Sequence, residues 1–223
     1  MVTKTKDVPK KLARHQRYKD SDGNYVVGVT TAIGVLDKPA LMYWAWNLGM
    51  QGIDYKRYRD DKADIGTLAH DMVLCHHKGV NPDTREYSKD QIDKAETCFI
   101  KYLDWEKRHT IEPIELEIGL VSEKYKFGGT LDMYARVDGV LTLVDFKTSK
   151  GIYSTNFLQL AAYRQLLEEN HRRVDNNMIL RIGRDDQEGF EVKQEKDLET
   201  ELDVFLNCVD IYYLLKKINK KYK

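Results

Sequence analysis

The chain reads as an α/β protein, an α/β/α sandwich with a mixed central sheet and an N-terminal helical wall, on three observations. Two β-rich runs, 128–137 and 140–147, flank Asp138-Gly139, a pair suited to the positive φ that both central residues of a type I′ hairpin turn require. Ile65, Leu68, Ala69, Met72, Val73 and His76 fall at helical spacing, the stripe of an amphipathic helix. Beyond the hairpin come a helical segment, a second strand pair and another helix, so helices are available to cover both faces of a sheet.

The 223 residues suit one domain with a sizeable core. Lys plus Arg and Asp plus Glu both number 36, so a nucleic-acid surface would have to come from segregated charge rather than overall basicity. Cys75, Cys98 and Cys208 lie far apart in sequence, which indicates neither a zinc site nor a disulfide framework and predicts a reducing compartment. No apolar stretch is long enough for a membrane span and no secretory core opens the chain. A cytoplasmic protein without a membrane partner is expected.

In order, residues 1–20 are expected to form a basic arm carrying Lys4, Lys6, Lys10, Lys11, Arg14, Arg17 and Lys19. The arm and the equally basic tail ending at Lys223 either touch phosphate or are solvated termini. Ser21 to Asn24 is a turn and Tyr25 to Val29 a strand. Residues 30–110 read as mainly helical. Thr30 or Thr31 caps a first helix, and Lys38-Pro39 opens a second through Tyr43, Trp44 and Trp46 toward Gly49. Those aromatics are expected in the core, with a stacking platform for unpaired bases as the alternative. The helix on the Ile65 stripe ends near Gly79, and the capping box Ser88 to Gln91 starts a helix that ends near Arg108. Residues 113–193 form the sheet-based part: a strand from Pro113 to Val121, the hairpin, a helix from Phe157 to Glu169 capped by Thr155, then strands 178–182 and 190–193. Residues 196–223 are a C-terminal helix, from about Asp197 to Lys217, and its tail.

The hairpin carries the chemistry. Counting outward from Val137 against Val140 places Asp132 opposite Asp145 and Thr130 opposite Lys147, on one face. Leu131, Met133 and Ala135 then share the other face with Phe146, Val144 and Thr142. Asp132 and Asp145 fall at a non-hydrogen-bonded position, where Cα atoms approach to about 4.5 Å. Two carboxylates there repel by roughly 3 kcal/mol at an effective dielectric near 20, so a shared proton or a cation is required. Oxygen ligands suit Mg²⁺ or Mn²⁺. The alternative is a solvated acidic face neutralised by Lys147. Against it, Leu141 to Phe146 is an almost continuous apolar run, as in a strand buried on both faces. Gly66 lies one helical turn before His70 and leaves room near its imidazole. Strand alternation puts Glu115 and Glu117 on one face, and helical spacing puts Gln159 and Tyr163 on another.

Gly66-Thr67-Leu68-Ala69-His70, Gly129-Thr130-Leu131-Asp132, Asp145-Phe146-Lys147 and Gln159-Leu160-Ala161-Ala162-Tyr163 stand in the order of G-x-x-x-H, G-x-x-D, D-x-K and Q-x-x-x-Y elements. With them, the chain resembles the RecB-like branch of the PD-(D/E)XK nuclease superfamily over about residues 26 to 167. Val29 to Trp46 is similar to the opening segment of phage-encoded exonucleases in that branch.

The resemblance implies a restriction-endonuclease-like fold in which Asp132, Asp145, the Phe146 carbonyl and His70 hold one or two Mg²⁺ or Mn²⁺ ions. Glu117, rather than Glu115, would face that metal, ordinary surface glutamate being the alternative. Lys147 would position or deprotonate water or stabilise phosphoryl charge, and Gln159 and Tyr163 would hold the DNA backbone and the lysine. Three scattered cysteines cannot supply the four ligands of the iron–sulfur cluster that some relatives hold. The implied activity is sequence-independent exonucleolytic hydrolysis of DNA, at ends or on single strands, leaving 5′-phosphates in phage replication or recombination, with a recombination annealing protein as partner. A structure-specific endonuclease and a non-catalytic DNA-binding module are the alternatives.

Overall fold

Both central residues of the hairpin turn take positive φ, 48° at Asp138 and 83° at Gly139, and Val137 pairs with Val140. The computed structural model describes residues 17–36 and 39–222. The expected arm residues Lys4 to Arg14, the helix-opening Lys38 and the terminal Lys223 lie outside the described residues.

In chain order the elements are β1 (Tyr18–Lys19), β2 (Tyr25–Gly28), α1 (Val29–Ile33), α2 (Pro39–Met50), α3 (Tyr55–Lys78), α4 (Lys89–Glu106), β3 (Ile111–Ser122), β4 (Phe127–Val137), β5 (Val140–Lys147), α5 (Ser154–Glu169), β6 (Asn176–Ile182), β7 (Phe190–Glu195) and α6 (Glu199–Lys221). The sheet runs β1-β2-β4-β5-β6-β7, with β3 also on β4. The pairs β2·β4 and β5·β6 are parallel and the others antiparallel. The sheet is therefore mixed, and the predicted α/β/α layering is the one observed.

Two cores sit on its two faces. One joins Val29 and Ile33 of α1, Leu160, Leu166 and Leu167 of α5 and Phe205 of α6 to Phe127, Leu143 and Ile179 of the sheet. The other joins Ile65, Leu68 and Val73 of α3 and Cys98, Tyr102 and Trp105 of α4 to Met133, Val144, Phe146 and Leu180. Burying each large apolar side chain of this kind contributes ~1.5–3 kcal/mol.

The α4 capping box forms, with Ser88 Oγ accepting from Gln91 N and Gln91 Oε1 accepting from Ser88 N. Gly79 closes α3 at φ 65°, in the left-handed conformation that glycine adopts without a Cβ penalty. Several expectations are corrected. α3 begins at Tyr55 rather than near Ile65, because Asp54 caps it by accepting from Arg57 N at 3.0 Å. Gly28, not Thr30 or Thr31, is the N-cap of α1. At α5, Asn156 Oδ1 accepts the Tyr153 N–H at 2.8 Å, and Thr155 lies inside the helix.

The α2 aromatics are not core. Tyr43 and Trp46 are 66% and 58% exposed, because the helix is anchored through buried Leu48 and through Trp44, which lies edge-on to Tyr55 and Tyr58.

Candidate active site

The site lies where one edge of β4 changes partner. β3 follows β4 from Ile111 against Val137 to Ser122 against Phe127. On the opposite edge, β2 pairs with Phe127 and Gly128, whereas β5 pairs with Met133 to Val137. Residues 129–132 thus lie in a gap between two diverging strands.

The predicted β4·β5 register holds from Val137 against Val140 to Met133 against Val144 and stops there. Asp132 and Asp145 are not a ladder pair, nor are Thr130 and Lys147. Asp132 Oδ2 instead accepts the Phe146 N–H at 2.8 Å, occupying a donor that a neighbouring carbonyl would otherwise take.

Opposite Asp132, Glu117 has φ 55°, and the two make no ladder pair although the β3·β4 register runs unshifted from Leu116·Met133 to Ile118·Leu131. That left-handed residue resets the alternation. Leu116 and Met133 pack in the α3/α4 core, whereas Ile118 and Leu131 pack in the α5/α6 core. Leu131 therefore does not share a face with Met133 and Ala135, and Glu115 and Glu117 do not share one either. Glu115 is held by Arg172, 2.5 and 2.7 Å away. Glu117 lies 3.5 Å from Lys78 of α3.

His70, on α3, puts Nδ1 3.5 Å from Asp132 Oδ1 and meets the Phe146 ring edge-on, with centroids 5.8 Å apart. Asp145 is 1% exposed and ion-paired with Lys147. Apart from that ammonium, Asp145 Oδ2 has no hydrogen-bond donor. His70, Asp132 and Asp145 do not close into a tight ligand trio: among the described residues, only His76, His77 and Glu106 bring three such atoms within 4.8 Å of one another.

Charge nonetheless couples the group. Burial, offset in part by Lys147 and reinforced by Asp132, pushes the Asp145 carboxyl up to about 6. Burial also acts upward on Asp132, but His70, Lys147 and the Phe146 N–H outweigh it and hold that carboxyl below its ordinary value. At His70, burial acts downward and is outweighed by Asp132, so the imidazole is raised. Burial raises Glu117, offset in part by Lys78 and reinforced by the nearby charges of Asp71 and Asp132.

Gln159 and Tyr163 are bonded to one another, Nε2 donating to Oη at 2.7 Å. Burial pushes the Tyr163 phenol well up, with Asp145 and Asp132 adding to the shift. Its ring fills the space above Gly129, where a Cβ would come within 2.6 Å of Cε1. The G-x-x-D glycine and the Q-x-x-x-Y tyrosine thus meet face to face. Across the site, a Cβ on Gly66 would lie 2.6 Å from Thr148 Oγ1, so close approach of α3 to the end of β5 needs that glycine.

Tyr18 was not anticipated as a site residue. Its ring covers Gly128 and its hydroxyl bonds Thr130 Oγ1 at 2.9 Å. Two successive glycines in a strand interior signal close approach by another group, and Gly128-Gly129 could have announced both tyrosines. Arg181 was missed too: it pairs in register with Lys147, its guanidinium held by Glu191 at 3.1 Å.

The donors fit a hard divalent ion. Asp132 lies 3.5 Å from the His70 imidazole at the strand gap, and the buried Asp145 keeps an oxygen that only an ammonium serves. Residues 43–210 match the family model of the PD-(D/E)XK nuclease superfamily. The chain belongs to that superfamily. The part matched to the PD-(D/E)XK model takes in His70, Asp132, Asp145, Lys147, Gln159 and Tyr163 and leaves out β1 and β2.

No curated protein matches the chain. Among solved structures, it is similar to a provisional exonuclease of Eubacterium rectale, with 12% identity and a TM-score of 0.46 over 66% of this chain and 64% of that one. It is also similar to the alkaline exonuclease LHK-Exo of Laribacter hongkongensis, with 14% identity and a TM-score of 0.39 over 87% and 94%. The chain spans 64% of the length of the Eubacterium rectale protein.

Proposed function

We propose that this nuclease-superfamily chain is a Mg²⁺- or Mn²⁺-dependent deoxyribonuclease that degrades DNA from its ends without sequence specificity. One observation carries the reading: Asp132, Asp145, Lys147 and His70 converge where β5 leaves β4. Asp132, Asp145, His70 and the backbone of Phe146 would hold the ion. Bound there, it would lower the pKa of an attacking water and offset charge on the scissile phosphate.

The protein's own groups do the rest. Lys147, paired with Asp145, would stabilise charge on a phosphoryl oxygen or take a proton from water. Tyr163 and Gln159 brace β4 at Gly129 and so align the carboxylates, a contribution of position rather than bond breaking. Glu117, opposite Asp132 on β3, would bind the ion's waters. Exonuclease action and a role in phage recombination, with an annealing protein taking up the exposed strand, follow from the sequence resemblance.

The test is digestion of end-labelled linear DNA and of a covalently closed circle, with Mg²⁺ or Mn²⁺ and with EDTA. Linear DNA should disappear only with metal and the circle should persist. Asp145→Asn and Lys147→Ala should each lower the rate by at least about 10²-fold, with thermal unfolding confirming that the variants fold. Cleavage of the circle would replace exonuclease with endonuclease. DNA binding without cleavage, or full activity in both variants, would overturn the catalytic reading.

A further inference from the structure

α3 and α4 run parallel. Near their starts Gln91 Nε2 donates to Asp61 Oδ1 at 2.9 Å, and near their ends His76 lies 2.8 Å from Glu106. Residues 79–88 return the chain so that both C-termini reach one end of the helical layer. Each terminus carries the negative pole of its helix dipole, which favours a cation there.

At that end the side chains converge. His76 Nε2 contacts Glu106 Oε2, and His77 Nε2 stands 3.5 Å from Glu106 Oε1. The ligand atoms of all three residues lie within 4.8 Å of one another. Tetrahedral coordination at Zn–N and Zn–O distances of about 2.0–2.1 Å separates ligands by about 3.3 Å, so small side-chain rotations suffice.

Two of the three are largely covered, with 8% of the His77 side chain and 22% of the Glu106 side chain exposed, while His76 is 39% exposed and faces solvent. The Tyr102 hydroxyl now shares a hydrogen bond with His77 Nε2 at 2.5 Å and lies 3.4 Å from Glu106 Oε1. When His77 Nε2 takes a metal, that hydroxyl can donate to the glutamate, the kind of outer hydrogen bond that orients a ligating carboxylate.

We infer that His76, His77 and Glu106 form a second metal site, selective for a borderline transition ion such as Zn²⁺ and open at its fourth position. Two imidazoles and one carboxylate prefer such an ion to Mg²⁺, unlike the oxygen-rich donors at the strand gap. The site clamps the end of α3 to α4, and Tyr102 links it to Phe146, whose ring lies 5.6 Å away edge-on. It does not depend on the nuclease reading.

The test uses the untagged full chain freed of metal with EDTA. Zn²⁺ should raise the unfolding temperature in the presence of excess Mg²⁺, and Co²⁺ should give the visible ligand-field absorption of a tetrahedral nitrogen-ligated site. His76→Ala, a substitution at an exposed position, should weaken Co²⁺ and Zn²⁺ binding at least about tenfold. Glu106→Gln should do the same while keeping the side chain's shape. Unchanged binding in His76→Ala, or no Zn²⁺ effect on the wild-type chain, would overturn the proposal. Should Glu106→Gln fail to fold, the His76→Ala titration decides it alone.

Discussion

Gly129 carries no side chain because the Tyr163 ring stands where one would be. Gly129→Ala should therefore cost about 1–3 kcal/mol through overpacking, read as a lower urea midpoint. It should also cost activity, because moving Tyr163 disturbs β4 three residues before Asp132. Wild-type stability in Gly129→Ala would show that the ring yields without strain. At this scale the motifs were legible from residue type and order. The pairing within the site was not. Period-2 counting set Asp132 against Asp145, but a counting rule has no place for Glu117 at φ 55° or for a carboxylate that accepts a backbone N–H in place of a strand. Glu115 and Glu117 were separated by the same left-handed residue.

Elements whose signals are local were readable in advance: the Asp138-Gly139 hairpin, the Ser88 capping box and the Gly79 helix stop. The first ten residues of α3 were not, because 55–64 are mostly charged and show no apolar stripe. The β6–β7 connection holds a compact ion pair, with Arg184 donating to Glu188 through its backbone N–H and two guanidinium nitrogens at 2.6 to 2.9 Å. Arg184 hydrogen bonds, outweighing burial, hold the Glu188 carboxyl down to about 2. A carboxyl depressed by folding adds stability above its unfolded value of about 4.3, and that stability is lost as pH falls through the folded value. Glu188→Gln should thus remove on the order of 1–3 kcal/mol at neutral pH and flatten stability between about pH 4.3 and 2. Urea unfolding across that range checks both, and a parallel acid limb in the variant would refute it. On α2, Trp46→Ala should change stability by no more than about 0.5 kcal/mol, whereas Trp44→Ala, which loses ring contacts with Tyr55 and Tyr58, should lower the melting temperature clearly.

Over the whole molecule, the helical layer and the sheet must meet closely enough for His70 of α3 to reach Asp132 of β4. Gly66 packs against Thr148, where a Cβ would lie 2.6 Å from Oγ1. Gly66→Ala gains about 1 kcal/mol of helix propensity but drives a methyl into Thr148 Oγ1, and should destabilise the protein and reduce activity. Thr148→Ala removes that oxygen. The double variant should recover both, giving a coupling of about 0.5–3 kcal/mol in a double-mutant cycle. Additive effects would mean that the α3–β5 contact does not set the distance. Among the described residues no helix is long and apolar enough to cross a membrane.

What the sequence determined by itself was the class of fold, the hairpin turn and the order of the motifs to which the proposed function assigns phosphodiester chemistry, because turn preference, periodicity and motif order are properties of neighbouring residues. The tertiary structure alone decided how those residues meet. It split one edge of β4 between β2 and β5, reset the alternation at Glu117 and exposed Tyr43 and Trp46 of α2. It also joined His76 and His77 to Glu106 across two parallel helices. Each of these depends on which distant segments share an edge or an end, a choice made by packing both cores at once.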